Sequence, residues 1–343
     1  MKALIISLNF HPGHVSHMVA SYKQCEELGY ELSFYVDPKF QNFLPKGSRI
    51  LKVGVDACPM VDLAIFLFPS QKNLMLIWKM KRQGTLVVYI FHEPLAPMSD
   101  YRKAGFSYKS LAKLWIINRV NSLTVKWSDV ILLPSKKAVD YYNANPLYKN
   151  GNYHYLPLMY DDERGQKYEE TKREYFSYIG TVAADHSFGE FIEFVQWAIK
   201  DNKLPGVKFL IATRSEFEVP EEFKNNPRLT VQKGRPLTNE EINAYYSRTY
   251  VAWNAYARTT QSGVLAKSFM FGTPALVLEK NCNEFAHDGV EIAAIENNSN
   301  KQEIEFAIKT VIKNFDMYSE NCRKQFLDSF YYRKYNERFK NLI

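Results

Sequence analysis

Four groups of residues in this chain combine types suited to chemistry with a position directly after an apolar run. His11-Pro12-Gly13-His14 sets two imidazoles around a glycine. Backbone N–H groups can approach an anion there, and a helix starting just after it adds its positive end. Gly13 and His14 are read as one side of a substrate site, although the same four residues also make an ordinary strand-to-helix turn. His92-Glu93-Pro94 leaves the apolar run Leu86–Phe91. A histidine at such an exit suits proton handling or the orientation of a hydroxyl, and Glu93 either orients the imidazole or caps the turn. His92 and Glu93 are the catalytic candidates.

The third group is Arg258-Thr259-Thr260-Gln261-Ser262-Gly263-Val264, between a buried strand and a helix ending at Gly272-Thr273-Pro274. Ser262 sits where an N-cap belongs, Gly263 permits close approach, and the free amides of the first turn form an anion site. Arg258 and Lys267 add positive charge, with Gln261 in the lead-in; a plain capped helix is the alternative. The fourth group, Gly180-Thr181, Ala212-Thr213-Arg214 and Gly234-Arg235-Pro236, also comes after strands. Of Arg214 and Arg235, one at most is expected to meet phosphate. His186 reads as a surface-loop residue.

Missing motifs narrow the chemistry. The chain has no G-x-x-x-x-G-K-[ST] loop, no G-x-S-x-G elbow and no H-E-x-x-H, which removes P-loop ATPases, hydrolases of that type and zinc proteases. It also lacks any Asp-x-Asp pair, the short carboxylate motif that holds a divalent ion against a diphosphate. The expected mechanism therefore uses no metal and no cofactor.

The elements that must position these groups alternate regularly. Strands are expected at Ala3–Leu8, Glu31–Val36, Leu63–Phe68, Leu86–Phe91 and Val130–Leu133, with helices at Val15–Leu28, Lys72–Arg82 and Lys109–Lys126 between them. A charged segment, Asp161–Glu174, reads as a linker. Strands then resume at Tyr175–Ile179, Val207–Ala212, Leu229–Gln232, Tyr250–Asn254 and Ala275–Leu278, with helices at Phe188–Ile199, Asn239–Ser247 and Gly263–Phe271. Uninterrupted apolar runs separated by helices are the pattern of parallel strands covered on both faces. Ligands bind at the carboxyl ends of such strands. The expected architecture is α/β, two tandem Rossmann-like domains facing across a cleft, with a polar helical tail. The expected limits are 1–160 for the N-terminal domain, 161–174 for the linker, 175–315 for the C-terminal domain and 316–343 for the tail.

Composition agrees with two globular domains: 343 residues, 46% hydrophobic and 24% charged. Four cysteines with no short C-x-x-C spacing argue against a disulfide framework or a zinc site. No signal peptide and no apolar run approaching a membrane span are seen, so the protein is expected to be cytoplasmic. The net charge of +7 is unevenly placed. Residues 1–160 hold 19 Lys and Arg against 10 Asp and Glu, whereas 161–343 hold 25 against 27. The first half therefore favours an anionic surface or ligand.

Together these motifs resemble the GT-B glycosyltransferases of glycosyltransferase family 4 over essentially the whole chain. The matching residues are the Pro-Gly-His turn, His92, Trp127-Ser128-Asp129-Val130-Ile131 running to Pro134-Ser135, Tyr178-Ile179-Gly180, and above all Gln261 to Pro274. That last segment is similar to the family's donor-site helix. Where the family usually carries two glutamates eight positions apart, this chain has Thr259 and Lys267. The Arg and Lys that usually come after Gly180 are replaced by Thr181 and Asp185-His186-Ser187. The resemblance implies transfer of a sugar from a nucleotide-diphosphate sugar to a glycan or lipid-linked acceptor, retention being the family's tendency, in surface polysaccharide or glycoconjugate assembly. Amides of Ser262–Val264 with Arg258, Lys267 or Arg214 would meet the leaving phosphate, alongside Gly180 and Thr181. A sugar-nucleotide epimerase of the same fold and a non-catalytic sugar-nucleotide-binding partner remain alternatives. Nucleic acid is not an expected partner.

A final feature lies between Arg102 and Lys137, where eight Lys or Arg are opposed only by Asp129, with Trp115 and Trp127 interleaved. Ile116, Val120, Leu123 and Trp127 at helical spacing read as core. Lys103, Lys109 and Lys113 are expected to rest on anionic lipid headgroups at the inner face of the membrane, delivering a lipid-linked acceptor.

Overall fold

The computed structural model describes residues 1–92, 94–103, 106–148, 152–168, 171–257 and 262–343. The chain divides into two compact units, one made of Met1–Asp161 with Tyr331–Ile343 and the other of Asp162–Phe330.

The first unit holds strands β1 (Lys2–Ser7), β2 (Glu31–Val36), β3 (Ile50–Lys52), β4 (Leu63–Phe66), β5 (Leu86–Ile90), β6 (Val130–Leu133) and β7 (Tyr153–Tyr155). They form one parallel sheet in the order β3-β2-β1-β4-β5-β6-β7. Its helices are α1 (Val15–Glu27), α2 (Asn73–Arg82), α3 (Met98–Lys103), α4 (Tyr108–Trp127) and α5 (Lys136–Ala144). Both faces of β1 are apolar because both are covered. Ala3 and Ile5 join one core with Phe34, Ile65 and Val88, while Leu4 and Ile6 join the opposite core with Phe66, Tyr89 and Ile131.

The second unit repeats the design with β8 (Tyr175–Ile179), β9 (Lys208–Ala212), β10 (Leu229–Gln232), β11 (Thr249–Asn254), β12 (Ala275–Leu278) and β13 (Ile292–Ile295), in the parallel order β10-β9-β8-β11-β12-β13. Its helices are α6 (Phe188–Lys200), α7 (Asn239–Ser247), α8 (Gly263–Met270), α9 (Lys301–Lys313) and α10 (Phe315–Ser329); α11 (Asn336–Lys340) belongs to the first unit. Phe176, Phe191, Phe194, Phe209 and Trp253 anchor one layer of its core. Thr238 and Glu241 form a capping box at the start of α7. The fold is two Rossmann-like α/β units, the GT-B architecture.

Strands β3, β7 and β13 escape the sequence pattern. β3 and β7 are three-residue, half-buried edge strands whose conformation comes from the neighbour they pair with. Sheet order also fixes where strand order reverses: between β1 and β4 in one unit, and between β8 and β11 in the other. Crevices for ligands open at the carboxyl ends of strands at such points.

The expected linker and tail are both corrected. Charged residues of 161–174 find partners in place of solvent: Asp162 pairs with Arg323, Glu163 with Lys267, and Glu174 with Lys208 and Arg248. Arg173 reaches the carbonyls of Tyr246 (2.7 Å), Thr249 (2.9 Å) and Phe271 (2.5 Å) and the Thr273 hydroxyl (2.7 Å). This segment is therefore part of the second unit from Asp162 onward. The C-terminal stretch is divided. Helix α10 packs on α8 in the second unit, whereas Tyr331 onward returns to the first, where Tyr332 and Phe339 are buried and Tyr332 Oη donates to Glu27 at 2.7 Å.

Candidate functional site

In the first unit the reversal point gathers aromatic rings. Beyond β1, His11 and His14 stack with ring centroids 4.3 Å apart. Beyond β4 the chain leaves the sheet at Leu67, and the Phe68 ring lies flat on His14 at 3.2 Å. Beyond β5, His92 meets Phe68 edge-on at 5.8 Å and 89°. The expected residues His14 and His92 thus share one site. Phe68 bridges them, although the apolar run Leu63–Phe68 reads as strand to its last residue. Gly13 borders the same rings, since a Cβ there would sit 3.4 Å from His11 Nδ1, an ordinary contact. Glu93 lies outside the described residues.

His92 is half-buried, and its Nδ1 is buried with no hydrogen-bond partner among the described residues. Burial, reinforced by the nearby His11, pushes its pKa down to about 4. The imidazole is therefore neutral near pH 7, and a group this weakly basic serves poorly as a general base there. It can still accept or donate a hydrogen bond and so orient a hydroxyl.

In the second unit the exits of β8, β9 and β11 are tied together. Gly180 N–H donates to the carbonyl of Ala212 (3.0 Å), and Val182 N–H to the hydroxyl of Ser215 (3.1 Å), which joins the loop carrying Thr181 to the loop carrying Arg214. The Thr181 carbonyl accepts from Tyr178 Oη (2.6 Å) and lies 3.0 Å from His186 Nδ1. A Cβ on Gly180 would lie 3.7 Å from Tyr256 Oη and 4.0 Å from Val264 Cγ2, so the β8 exit runs beside the first turn of α8. Gly263, exposed, opens that turn.

His186 departs from its expected role. Its ring stacks on Tyr256 at 4.3 Å and 8°, and its carbonyl accepts from the indole of the fully buried Trp253 at 3.1 Å. Three further bonds pin the β11 exit: Ala257 N–H to Asp185 O (2.8 Å), Asn281 Nδ2 to Tyr256 O (2.6 Å) and Asn298 Nδ2 to Ala255 O (3.1 Å). The signal available in the sequence was an aromatic directly after a buried strand, at Phe68 and at Tyr256 alike.

The cations separate clearly. Arg235 is committed to the capping-box carboxylate of Glu241. Arg214 is half-buried and makes no hydrogen bond or ion pair with a described residue. The ammonium of Lys267 is buried against Glu163 (2.7 Å) and Asn239 (3.1 Å), with Asn243 also donating to Glu163 at 2.9 Å. A phosphate would have to displace that carboxylate to reach it. Ser262 occupies the N-cap position, but its hydroxyl forms no capping bond. Its Oγ is buried, as is Asn254 Oδ1, and both residues line a cavity of about 10 Å³ together with Leu265, Val277, Asn281 and Phe285. Arg258 and Gln261 lie outside the described residues. Among the described residues no group of three or more His, Cys, Asp or Glu has the arrangement of a metal site.

No protein-family profile and no curated protein sequence matches this chain. Solved structures do. Sucrose-phosphate synthase (tll1590) from Thermosynechococcus elongatus superposes with a TM-score of 0.71 at 11% identity, over 100% of this chain and 98% of that one. Anabaena Alr3699/HepE in complex with UDP-glucose gives 0.69 at 11% identity, over 99% and 98%. A glycosyltransferase from Rickettsia africae ESF-5 gives 0.68 at 10% identity, over 99% and 98%. At such identities the likeness establishes a shared fold along the whole chain.

Proposed function

We propose that this protein is a glycosyltransferase that takes a sugar from a nucleotide-diphosphate sugar. The observation that carries the reading is the arrangement at the β8/β11 reversal point, where Gly180, Thr181, the first turn of α8 and His186 come together and the adjoining loop after β9 carries Arg214, which has no ion pair or hydrogen bond among the described residues. Breaking the anomeric C–O bond places growing negative charge on the departing phosphate. Helix amides and a cation fixed there beforehand lower that barrier, since they need no reorganisation as the charge develops. Arg214 supplies the cation and Gly263 the close approach. Arg258 and Gln261 belong to the same proposal. That solved proteins of this fold hold UDP or UDP-glucose supports a uridine nucleotide as donor.

Acceptor recognition falls to the first unit, with Gly13, His14 and Phe68 beside His92. Neutral His92 orients a sugar hydroxyl by hydrogen bonding. Transfer proceeds without a metal and with retention, and the acceptor is a glycan or a lipid-linked glycan in surface polysaccharide or glycoconjugate assembly, a cytoplasmic reaction.

A screen of UDP- and GDP-sugars, read by calorimetry for binding and by nucleoside diphosphate release for turnover, tests the proposal. Donor binding that Gly263→Val blocks, with acceptor-dependent release, is expected. Epimerised sugar without acceptor would favour an epimerase, and binding without release from any acceptor pool would favour a non-catalytic partner.

A further inference from the structure

Helix α4 buries mainly polar side chains and exposes an apolar stripe. Its buried residues are Asn118, Asn121, Thr124 and Val125. Asn118 Oδ1 accepts from Asn145 Nδ2 (2.9 Å) and Tyr148 Oη (2.5 Å), so the polar interior is hydrogen-bonded and stable. The outer face carries four large apolar side chains: Tyr108, Trp115, Ile116 and Leu123 are 83%, 53%, 53% and 40% exposed. These positions recur at helical spacing and form one stripe. Ile116 and Leu123, expected in the core, lie on it.

Helix α2 packs alongside α4 and also exposes Met75 and Trp78, at 73% and 43%. Neither helix contains an acidic residue. Lys79, Arg82, Lys109, Lys113, Arg119 and Lys126 are exposed on them, and Lys81 is already paired with Asp129. Two of the cations lie over indoles, Arg82 at 4.8 Å from Trp78 and Arg119 at 5.1 Å from Trp115.

We infer that the outer face of α2 and α4 docks on an anionic lipid surface. Contiguous exposed apolar groups call for a covering partner. Indoles and tyrosine favour the headgroup level of a bilayer, and long basic side chains reach anionic headgroups while their stems stay apolar. A second copy of the chain would set this cationic face against itself, and like charges oppose such contact. No described helix is long and apolar enough to cross a membrane, so docking is peripheral. The inference does not depend on the glycosyltransferase reading, which it would supply with a lipid-linked acceptor.

Sedimentation of the full chain with phosphatidylcholine vesicles, with and without phosphatidylglycerol, tests it. Binding to the anionic vesicles only, released at high salt, is expected, with a blue shift of tryptophan emission. Lys113→Glu with Arg119→Glu should weaken binding at least tenfold, and Trp115→Ser with Ile116→Ser should weaken it and remove the blue shift. Both pairs are exposed, and thermal melts confirm folding. Equal sedimentation with neutral and anionic vesicles at low salt overturns the inference. So does a concentration-dependent dimer abolished by Trp115→Ser without vesicle binding. Donor binding by the same preparations separates either failure from a failure of the catalytic reading.

Discussion

His92 is held neutral by its surroundings. Its pKa is pushed down to about 4 in the fold, against 6.5 when unperturbed, so the unfolded chain binds more protons between those values. Its contribution to stability is complete above about pH 6.5 and is lost as pH falls toward 4. Thermal melts from pH 7.5 to 4.5 should show that fall, and His92→Gln should flatten it. If His92 orients a hydroxyl, His92→Ala lowers turnover about a hundredfold or more, whereas Gln, which keeps a donor and an acceptor, recovers part of it; steady-state kinetics decide. Arg214 makes the complementary prediction. Arg214→Gln should raise the donor Kd roughly tenfold or more while leaving the melting temperature unchanged, because no described residue leans on that guanidinium. The residue types at these positions were legible after their strands. The pairing of Lys267 with Glu163, 104 positions away, was not, because nothing local to a buried lysine names its counter-ion.

Among the elements, α8 is held from its C-terminal end. Gly272 has φ +62°, and a Cβ there would approach Ser319 O to 3.1 Å and Ser319 Oγ to 2.5 Å, so the turn before Pro274 packs directly on α10. Gly272→Ala should cost about 1–3 kcal/mol in chemical denaturation, from left-handed strain plus displacement of α10. Arg173 is the stronger staple. Burial, more than the nearby Arg164, pushes its pKa down to about 10, so it stays charged while bonded to three carbonyls and a hydroxyl. Arg173→Met would leave those acceptors unsatisfied and should lower stability by roughly 3–5 kcal/mol, measured the same way. Helix α4 shows how periodicity can mislead. Its span was clear to within a residue at each end, but the apolar stripe faces outward because Asn118 and its partners satisfy the inner face.

The whole molecule places its C-terminus back in the first unit, and this is open to a direct test. Deleting Tyr331–Ile343 removes buried Tyr332 and Phe339 and strips Glu27 of its bonds to Tyr332 and Arg333. Calorimetry should show the first unit melting earlier, by the several kcal/mol expected from two large buried side chains, with the second unit's transition kept. Catalysis should survive excess EDTA, since the proposed leaving-group contacts are amides and a guanidinium; loss restored by magnesium would count against them. What the sequence by itself determined is local: apolar runs of strand length, helices between them, and a loop of polar residues after each strand, from which parallel sheets and their active edge can be derived. What only the tertiary structure decided is which distant groups meet. His186 became part of the edge beyond β8 and β11 through Tyr256 and Trp253, the charged segment after Asp161 was consumed by partners, and α4 turned an apolar stripe to solvent. Each of these depends on satisfying buried polar groups across long separations, and hydropathy along the chain carries no record of those pairings.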